Sequence, residues 1–393
     1  MRKGWEYKKL GEVCTLISDG SHNPPKGIDH SLYRMISSQN VFDDNLQITE
    51  DNVRYITETD HLCENKRTKL QKDVVLLTIV GTIGRSCVLK GNEGCLTLQR
   101  SVAALHPSDQ IMPRYLMHCL IGNRHTLNQE AHGIAQKGIY LKQLSSLSIP
   151  LPPLSTQLSI VSELDRINEL IRLKKEQLKD FDNLAQSIFY EMFGDPVENE
   201  REWEVKIIGD LALVKTGPFG SMLHKEDYIC DGIPLVNPIH MKDFKIVPDL
   251  DFTISKEKAS ELENYLLKNK DIVFARRGDI GRCAIVSEAE QGFICGTGSL
   301  FVRFSKEIES IFIMYIIRCD SFTKHLISKA KGATMLNINS NTIADLKLPL
   351  PPLPLQHLFA QRIEQIEHQK AEVQKSITDL ETLLASRMQY WFE

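Results

Sequence analysis

No run of 18 or more apolar residues occurs in this 393-residue chain, so no membrane-crossing helix is expected. No Cys-x-x-Cys pair occurs among its nine cysteines. That argues against a zinc ribbon or a disulfide framework, and for reduced, cytoplasmic thiols used in packing. No G-x-x-x-x-G-K-[ST] segment is present, nor even a Gly-Lys dipeptide, which leaves a P-loop nucleotide hydrolase without its phosphate cradle. His-Glu-x-x-His is also missing. His118, His125 and His132 sit seven residues apart. On one helix that is about 10 Å per step, too far to share a metal, and a metal site is not expected. The start, Met1-Arg2-Lys3-Gly4-Trp5-Glu6, has no apolar core behind its basic residues, so no secretion signal is expected. A strong charge of either sign is lacking too: the net charge is −4.

What is present is a repeat of about 198 residues, which decides the architecture. Trp5-Glu6-Tyr7-Lys8-Lys9-Leu10-Gly11-Glu12-Val13 returns as Trp203-Glu204-Val205-Lys206-Ile207-Ile208-Gly209-Asp210-Leu211. Asp73-Val74-Val75-Leu76-Leu77 with Gly81-Thr82-Ile83-Gly84-Arg85 returns as Asp271-Ile272-Val273-Phe274-Ala275 with Gly278-Asp279-Ile280-Gly281-Arg282. Ile149-Pro150-Leu151-Pro152-Pro153-Leu154 returns as Leu348-Pro349-Leu350-Pro351-Pro352-Leu353. Between these landmarks the copies diverge, as two modules of one job aimed at different targets would.

Within each copy, short β-branched runs broken by Gly, Asn, Asp and Pro predict strands, among them 74–79, 101–105 and 272–275. One helix is expected at 114–128 and another at 308–329, each followed by a short strand into the prolines. After the prolines, each copy predicts one long helix. Ser155 is the expected cap of the first, Pro354 fits the first turn of the second, and Gly194-Asp195-Pro196 stops the first. The apolar stripe in copy one is Ile160, Leu164, Ile167, Ile171, Lys174, Leu178, Phe181, Ala185, Ile188 and Met192. In copy two it is Phe359, Ile363, Ile366, Lys370, Val373, Ile377, Leu380, Leu384, Arg387 and Trp391. That spacing predicts a coiled-coil seam. A lysine in each seam fixes register or snorkels to solvent. Segments 154–193 and 353–393 each carry a charge of −2, so the rest of the chain is balanced.

Two features point toward an adenine methyltransferase. Asn23-Pro24-Pro25-Lys26 resembles its catalytic tetrapeptide, and Phe293-Ile294-Cys295-Gly296-Thr297-Gly298-Ser299 its cofactor loop. The tetrapeptide has Lys where an aromatic should stack on the base. The glycines precede Leu300-Phe301-Val302-Arg303-Phe304, which reads as a strand, and the matching Leu98-Gln99-Arg100-Ser101-Val102 has none. A nuclease reading of Glu204-Val205-Lys206 fails because no Pro-Asp pair precedes it at usable spacing. What remains is binding. Arg85 and Arg282 follow tight turns, and Arg276 and Arg277 add cations; arginine forks suit phosphates and guanine edges. Polar, non-matching residues lie nearby. In copy one they are Lys26, Ser38, Gln39, Asn40, Thr82, Gln99, Arg100, Gln136 and Lys137. In copy two they are Lys225, Asn237, His240, Thr297 and Ser299. Gln and Asn read adenine, and lysines hold phosphates.

The ordered, duplicated landmarks resemble those of type I restriction-modification specificity subunits over nearly the whole length. Carrying the resemblance are the Trp-x-x-x-x-Leu/Ile-Gly-Asp/Glu start, Asp19-Gly20-Ser21-His22-x-x-Pro25, and Gly-x-Ile-Gly-Arg. So do Ile-Pro-Leu-Pro-Pro-Leu-x-x-Gln with Gln157 and its partner Gln356, and the Phe-Gly-Asp-Pro helix end. Copy two departs with Gly217-Pro218-Phe219-Gly220-Ser221 in place of the Asp-Gly-Ser-His turn. The resemblance implies an α+β chain with two tandem target-recognition domains, 1–150 and 197–349. A central helix at 151–196 and a C-terminal helix at 350–393 would form an antiparallel intramolecular coiled coil. Each domain would read one half of a split target on double-stranded DNA. The helices would fix the gap and bind two methyltransferase subunits, and through them the endonuclease subunits. The chain would catalyse nothing and hold no cofactor; S-adenosylmethionine would sit on the methyltransferase partner.

Overall fold

The computed structural model describes residues 5–132, 137–219, 222–305, 308–330 and 337–392; residues 1–4, Gln136, and Gly220 with Ser221 fall outside them. The chain divides into two compact units, residues 1–175 with 375–393 and residues 176–374. Each is α+β, and each contains part of both long helices, Leu154–Phe193 and Leu353–Phe392.

The repeated landmarks meet in space. In the first unit Glu6–Lys9 pairs antiparallel with Ser148–Leu151, with Tyr7 opposite Pro150. In the second, Val205–Ile207 pairs with Lys347–Pro349, with Val205 opposite Pro349. The start of each repeat is thereby stitched to the strand that leads into its prolines. The main sheet of the first unit is antiparallel, in the order Cys14–Asp19, Val102–Pro107, Val75–Thr78, Ser86–Val88. The second unit repeats that order with Ala212–Thr216, Ser299–Phe304, Ile272–Ala275 and Cys283–Ile285. Period-2 alternation splits each core in two. Val75, Leu77, Ala103 and Leu105 face the helices, while Leu76, Val102 and Ala104 join a second cluster with Ile36 and Leu98. The second cluster lies against Tyr33–Ile36, which pairs in parallel with Cys95–Leu98.

The single helices expected at 114–128 and 308–329 are each two. Pro113–Gly122 and Arg124–Gln129 break at Asn123, whose side chain donates to the Cys119 carbonyl at 2.8 Å. Ser310–Arg318 and Asp320–Lys329 break at Cys319, which is extended at φ −66°, ψ 130°. The nine cysteines are all unpaired. Six are buried, and burial pushes the thiols of Cys14, Cys87 and Cys119 up to about 12; Cys63, Cys95 and Cys230 are exposed and do not pack.

The first long helix begins at Leu154, so Ser155 lies in its first turn rather than capping it. The prolines set that start: the Pro153 carbonyl accepts from the Gln157 N–H at 3.0 Å. The second helix begins at Leu353, with Pro354 in the first turn as expected. Gly194, at φ +76°, ends the first helix, its N–H on the Tyr190 carbonyl at 2.9 Å. Every stripe position in both helices is buried or half-buried. The helices run antiparallel within each unit. In the first unit Glu163 pairs with Arg387, and Lys175 with Glu381 at 2.7 Å. In the second, Asp182 pairs with Lys370 at 2.9 Å. Lys370 also meets Glu367 at 2.8 Å, so this seam lysine is held by two carboxylates rather than released to solvent. Among the described residues, no helix is long and apolar enough to cross a membrane.

Gln157 and Gln356 close the helix starts onto their own units. Gln157 is fully buried; its Oε1 accepts from the Met112 N–H, and its Nε2 donates to the Gln110 and Pro152 carbonyls, all at 2.9 Å. Gln356 accepts from the Glu309 N–H at 3.1 Å and donates to the Pro351 carbonyl at 2.8 Å. Removing such a group leaves buried backbone partners unmet. Gln157→Ala will therefore lower stability by about 2–3 kcal/mol, read as a fall in the urea midpoint with an unchanged slope.

Asp165 on the first long helix adds a pH dependence. Burial works against its charge, but hydrogen bonds from His118 and Arg114 outweigh it and hold its carboxyl below the ordinary 3.8. A carboxyl depressed on folding contributes stability that is complete above its unfolded value and lost as pH falls through the folded one. The stability gap between the wild type and Asp165→Asn will therefore narrow as the medium falls below about pH 4. Urea midpoints at neutral and acid pH measure this.

Candidate nucleic-acid interface

The Gly-x-Ile-Gly-Arg segments are the turns between the third and fourth strands of each main sheet. Both glycines of each turn have positive φ: Gly81 +80°, Gly84 +89°, Gly278 +79° and Gly281 +101°. That backbone favours glycine. The central isoleucines, Ile83 and Ile280, are buried and anchor the turns, leaving the following arginines at the surface. In the first unit Arg85 is half-buried, with its guanidinium 4.7 Å over the Phe42 ring. It has no carboxylate partner among the described residues. In the second, Asp279 replaces Thr82, and Arg282 spends Nε and Nη2 on it at 3.0 and 2.8 Å. Its Nη1 donates to the Pro238 carbonyl at 3.2 Å.

Three candidate contact residues are overturned by burial. Asn40 is fully buried; its Oδ1 accepts from the Ser37 N–H at 2.9 Å, and its Nδ2 donates to Gln47 and Asn52. His240 occupies the matching place, its Nδ1 donating to the Leu235 carbonyl at 2.7 Å. Ser299 is fully buried within its strand. Asn40 and His240 hold their turns from inside, while the Ser299 hydroxyl is buried with no hydrogen-bond partner among the described residues. The difference between Asn40 and His240 is one of internal filling, not of surface reading.

The other candidates remain at the surface. In the first unit Ser38, Gln39, Gln99 and Arg100 come together. The Ser38 N–H donates to the Ser101 hydroxyl at 3.0 Å, and that hydroxyl donates to Gln99 at 2.8 Å. Gln39 and Arg100 are exposed, Ser38 and Gln99 half-buried. Lys137 and Thr82 are exposed beside the Gly81 turn, where the Gly81 N–H meets the Lys137 carbonyl at 3.4 Å. Lys26 is exposed on a separate loop, where Arg54 holds the neighbouring Pro25 carbonyl at 3.1 Å. In the second unit, Lys225 is exposed on a short turn of helix, Lys225–Asp227. Asn237 is half-buried and accepts from the Gly298 N–H at 3.2 Å. A Cβ at Gly296 would stand 2.3 Å from Asn237 Oδ1, so close packing explains that glycine. The Gly296-Thr297-Gly298 segment leads into the strand Ser299–Phe304, not a helix.

Beside it lies a cavity of about 340 Å³ lined by Phe219, Arg276, Arg277, Thr297 and Gly298. Arg277 is exposed; Arg276 is half-buried, and its Nε is buried with no hydrogen-bond partner among the described residues. Burial, and then the neighbouring Arg277 charge, pull the Arg276 guanidinium below its ordinary value. Two adjacent arginines without an acidic partner among the described residues, beside an aromatic ring, form an anion-seeking site with a stacking surface. Phe219 and Phe42 were missed from sequence. The Gly217-Pro218-Phe219 variant was a signal for the first; nothing near Phe42 marked it.

The chain matches the model of the family described as type I restriction modification DNA specificity domain, over residues 2–180 and again over 200–382. It is similar to the putative type I restriction enzyme MjaX specificity subunit of Methanocaldococcus jannaschii, 23% identical over 92% of this chain and 87% of that one. It is also similar to the MjaVIII specificity subunit of the same organism, 22% identical over 97% and 92%. Among solved structures it resembles the type I restriction-modification system S subunit from M. genitalium, with a TM-score of 0.55 at 13% identity over 99% of this chain and 96% of that one. A chain from a structural study of type I R-M complex assembly and conformational transition gives 0.61 at 17% identity, over 100% and 98%.

Proposed function

Because this chain belongs to the type I restriction modification DNA specificity domain family, we propose that it is the sequence-specific DNA-binding specificity subunit of a type I restriction-modification complex. Each unit reads one half of a bipartite target on double-stranded DNA. The long helices set the spacer and dock two methyltransferase subunits, and endonuclease subunits join through the complex in the cytoplasm. S-adenosylmethionine is held by the methyltransferase partner, and this chain supplies recognition without catalysis.

The observation that carries this reading is the Arg276-Arg277 pair, two adjacent cations beside Phe219 without a carboxylate partner among the described residues. The first unit contributes Ser38, Gln39, Gln99 and Arg100, with Arg85, Thr82, Lys137 and Lys26 beside or beyond them. The second contributes Arg276, Arg277 and Asn237, with Lys225 and Arg282. Arginines and lysines on phosphates supply affinity, and Gln, Asn and Arg on base edges supply choice.

A mobility-shift titration of the chain with its methyltransferase subunits tests this, using duplexes with and without the sequence methylated in the source genome. Preference for the target supports the proposal, and equal retention of both duplexes contradicts it. S-adenosylmethionine binding by the isolated chain would instead favour an enzyme.

A further inference from the structure

Two candidate contact segments of the first unit, residues 37–40 and the turn that bears Arg85, meet at one short hairpin, Val41–Phe42 with Asn45–Leu46. Residues 37–40 run directly into it, and Arg85 lies over its Phe42 ring at 4.7 Å. Its turn residues, Asp43 and Asp44, are held by two arginines. Arg124 grips both Asp43 oxygens at 2.6 Å and donates from Nε to the Gly84 carbonyl at 3.1 Å. Arg114 donates to both Asp44 oxygens at 2.9 Å, and its Nε and Nη2 reach Asp165 on the long helix at 2.6 and 2.7 Å. His118, nearly fully buried, fixes the Asp165 carboxylate from another side at 2.7 Å.

The second unit makes the same connection with different chemistry. Its hairpin turn carries Asp243 and Phe244, both at positive φ like Asp44. Arg318 lies 4.4 Å over the Phe244 ring and 3.7 Å from Asp182 on the first long helix. Lys245 reaches Glu367 on the second long helix at 3.3 Å. A carboxylate fork in one unit and a cation–π contact in the other perform the same join. Charged clasps of this kind add little stability over an apolar contact, but they fix geometry, since an arginine fork accepts its carboxylate in one plane.

Resting on the DNA-specificity reading, we propose that Arg114 and Arg318 are positioning residues for target recognition. Each rivets the hairpin behind a recognition segment to a long helix, so that the reading turns are held in register by the element on which the partner docks. Neither arginine touches DNA.

The test uses the chain in complex with its methyltransferase subunits. Asp44→Asn keeps a residue that tolerates φ +57° and leaves the Arg114–Asp165 pair, but removes the ionic leg to the hairpin. Arg114→Lys keeps the charge and loses the fork. Dissociation constants are measured on the target and on duplexes altered in one half or the other. Both variants are expected to lose discrimination about tenfold at the same half, with the other half unchanged and the melting temperature within about 3 °C of wild type. Equal loss at both halves would overturn the positioning role. So would unchanged discrimination, whether or not overall affinity falls with stability. If the wild-type complex shows no target preference, the specificity reading itself fails, and this inference with it.

Discussion

Exchange of residues 197–349 for the corresponding segment of another specificity subunit will change one half of the DNA target and leave the other half untouched. The exchanged segment is closed on itself. Its first strand pairs with its last, Val205 opposite Pro349, so the two cut points lie side by side. Its main sheet takes all four strands from within the segment. The long helices, however, enter its core. Phe189, Phe193 and Phe359 of the long helices pack against Phe312 and Tyr315 of the exchanged segment, stacked or edge-on, at centroid distances of 4.8–6.2 Å. A graft that brings small residues to the Phe312 and Tyr315 places opens a cavity there, at a cost of ~3–5 kcal/mol per lost ring. Grafts with aromatic or large aliphatic residues at those places will fold and re-target. Methyladenine mapping of the genome of cells carrying the chimera reads the result directly. If both halves of the methylated sequence changed, or neither did, the modular reading of the two units would be wrong.

Much of this is legible in the amino-acid sequence. Repetition gave two units, and the stripe at 3-4 spacing marked the helix faces that become buried, because periodic burial leaves a periodic sequence. Phe189 and Phe193 were not read as core, because they lie off the seam and are buried by the globular part of their own unit. The proline landmarks pointed to a strand and a helix start, but not to the strand Glu6–Lys9 as its partner, since pairing over more than 140 residues leaves no local signal. Polar residues were the hardest to place. Asn40 and Gln39 are neighbours of similar chemistry, yet one is sealed inside and the other exposed. Which of the two a turn swallows is decided by its tertiary partners, here Gln47 and Asn52. The clasp on Asp165 was invisible for the same reason: Asp44, Arg114 and Asp165 lie far apart in sequence and are joined only by the fold.

Replacing Arg276 and Arg277 together with glutamine will weaken target binding by about 3 kcal/mol, roughly 100-fold, while leaving the fold as stable or more stable. The opposite signs follow from one arrangement. Arg276 has a buried Nε with no acceptor among the described residues, and its charge is opposed by burial and by Arg277. A half-buried, unpaired cation beside a like charge destabilises the free protein. A phosphate or guanine edge entering the cavity beside Phe219 would supply the missing acceptor and neutralise both charges. The arrangement is unfavourable alone and favourable in complex, which distinguishes a binding group from a structural one. Arg303 gives the contrast. It is bonded to Asp271 at 2.6 and 2.8 Å, so Arg303→Gln strands a buried carboxylate and should cost stability. Urea midpoints and target affinities for the two sets of variants separate the cases. Loss of stability in the Arg276/Arg277 variant with unchanged affinity would remove this pair from the interface. Lower affinity with equal or higher stability would place it there, and the salt dependence of binding should become shallower as phosphate contacts are lost.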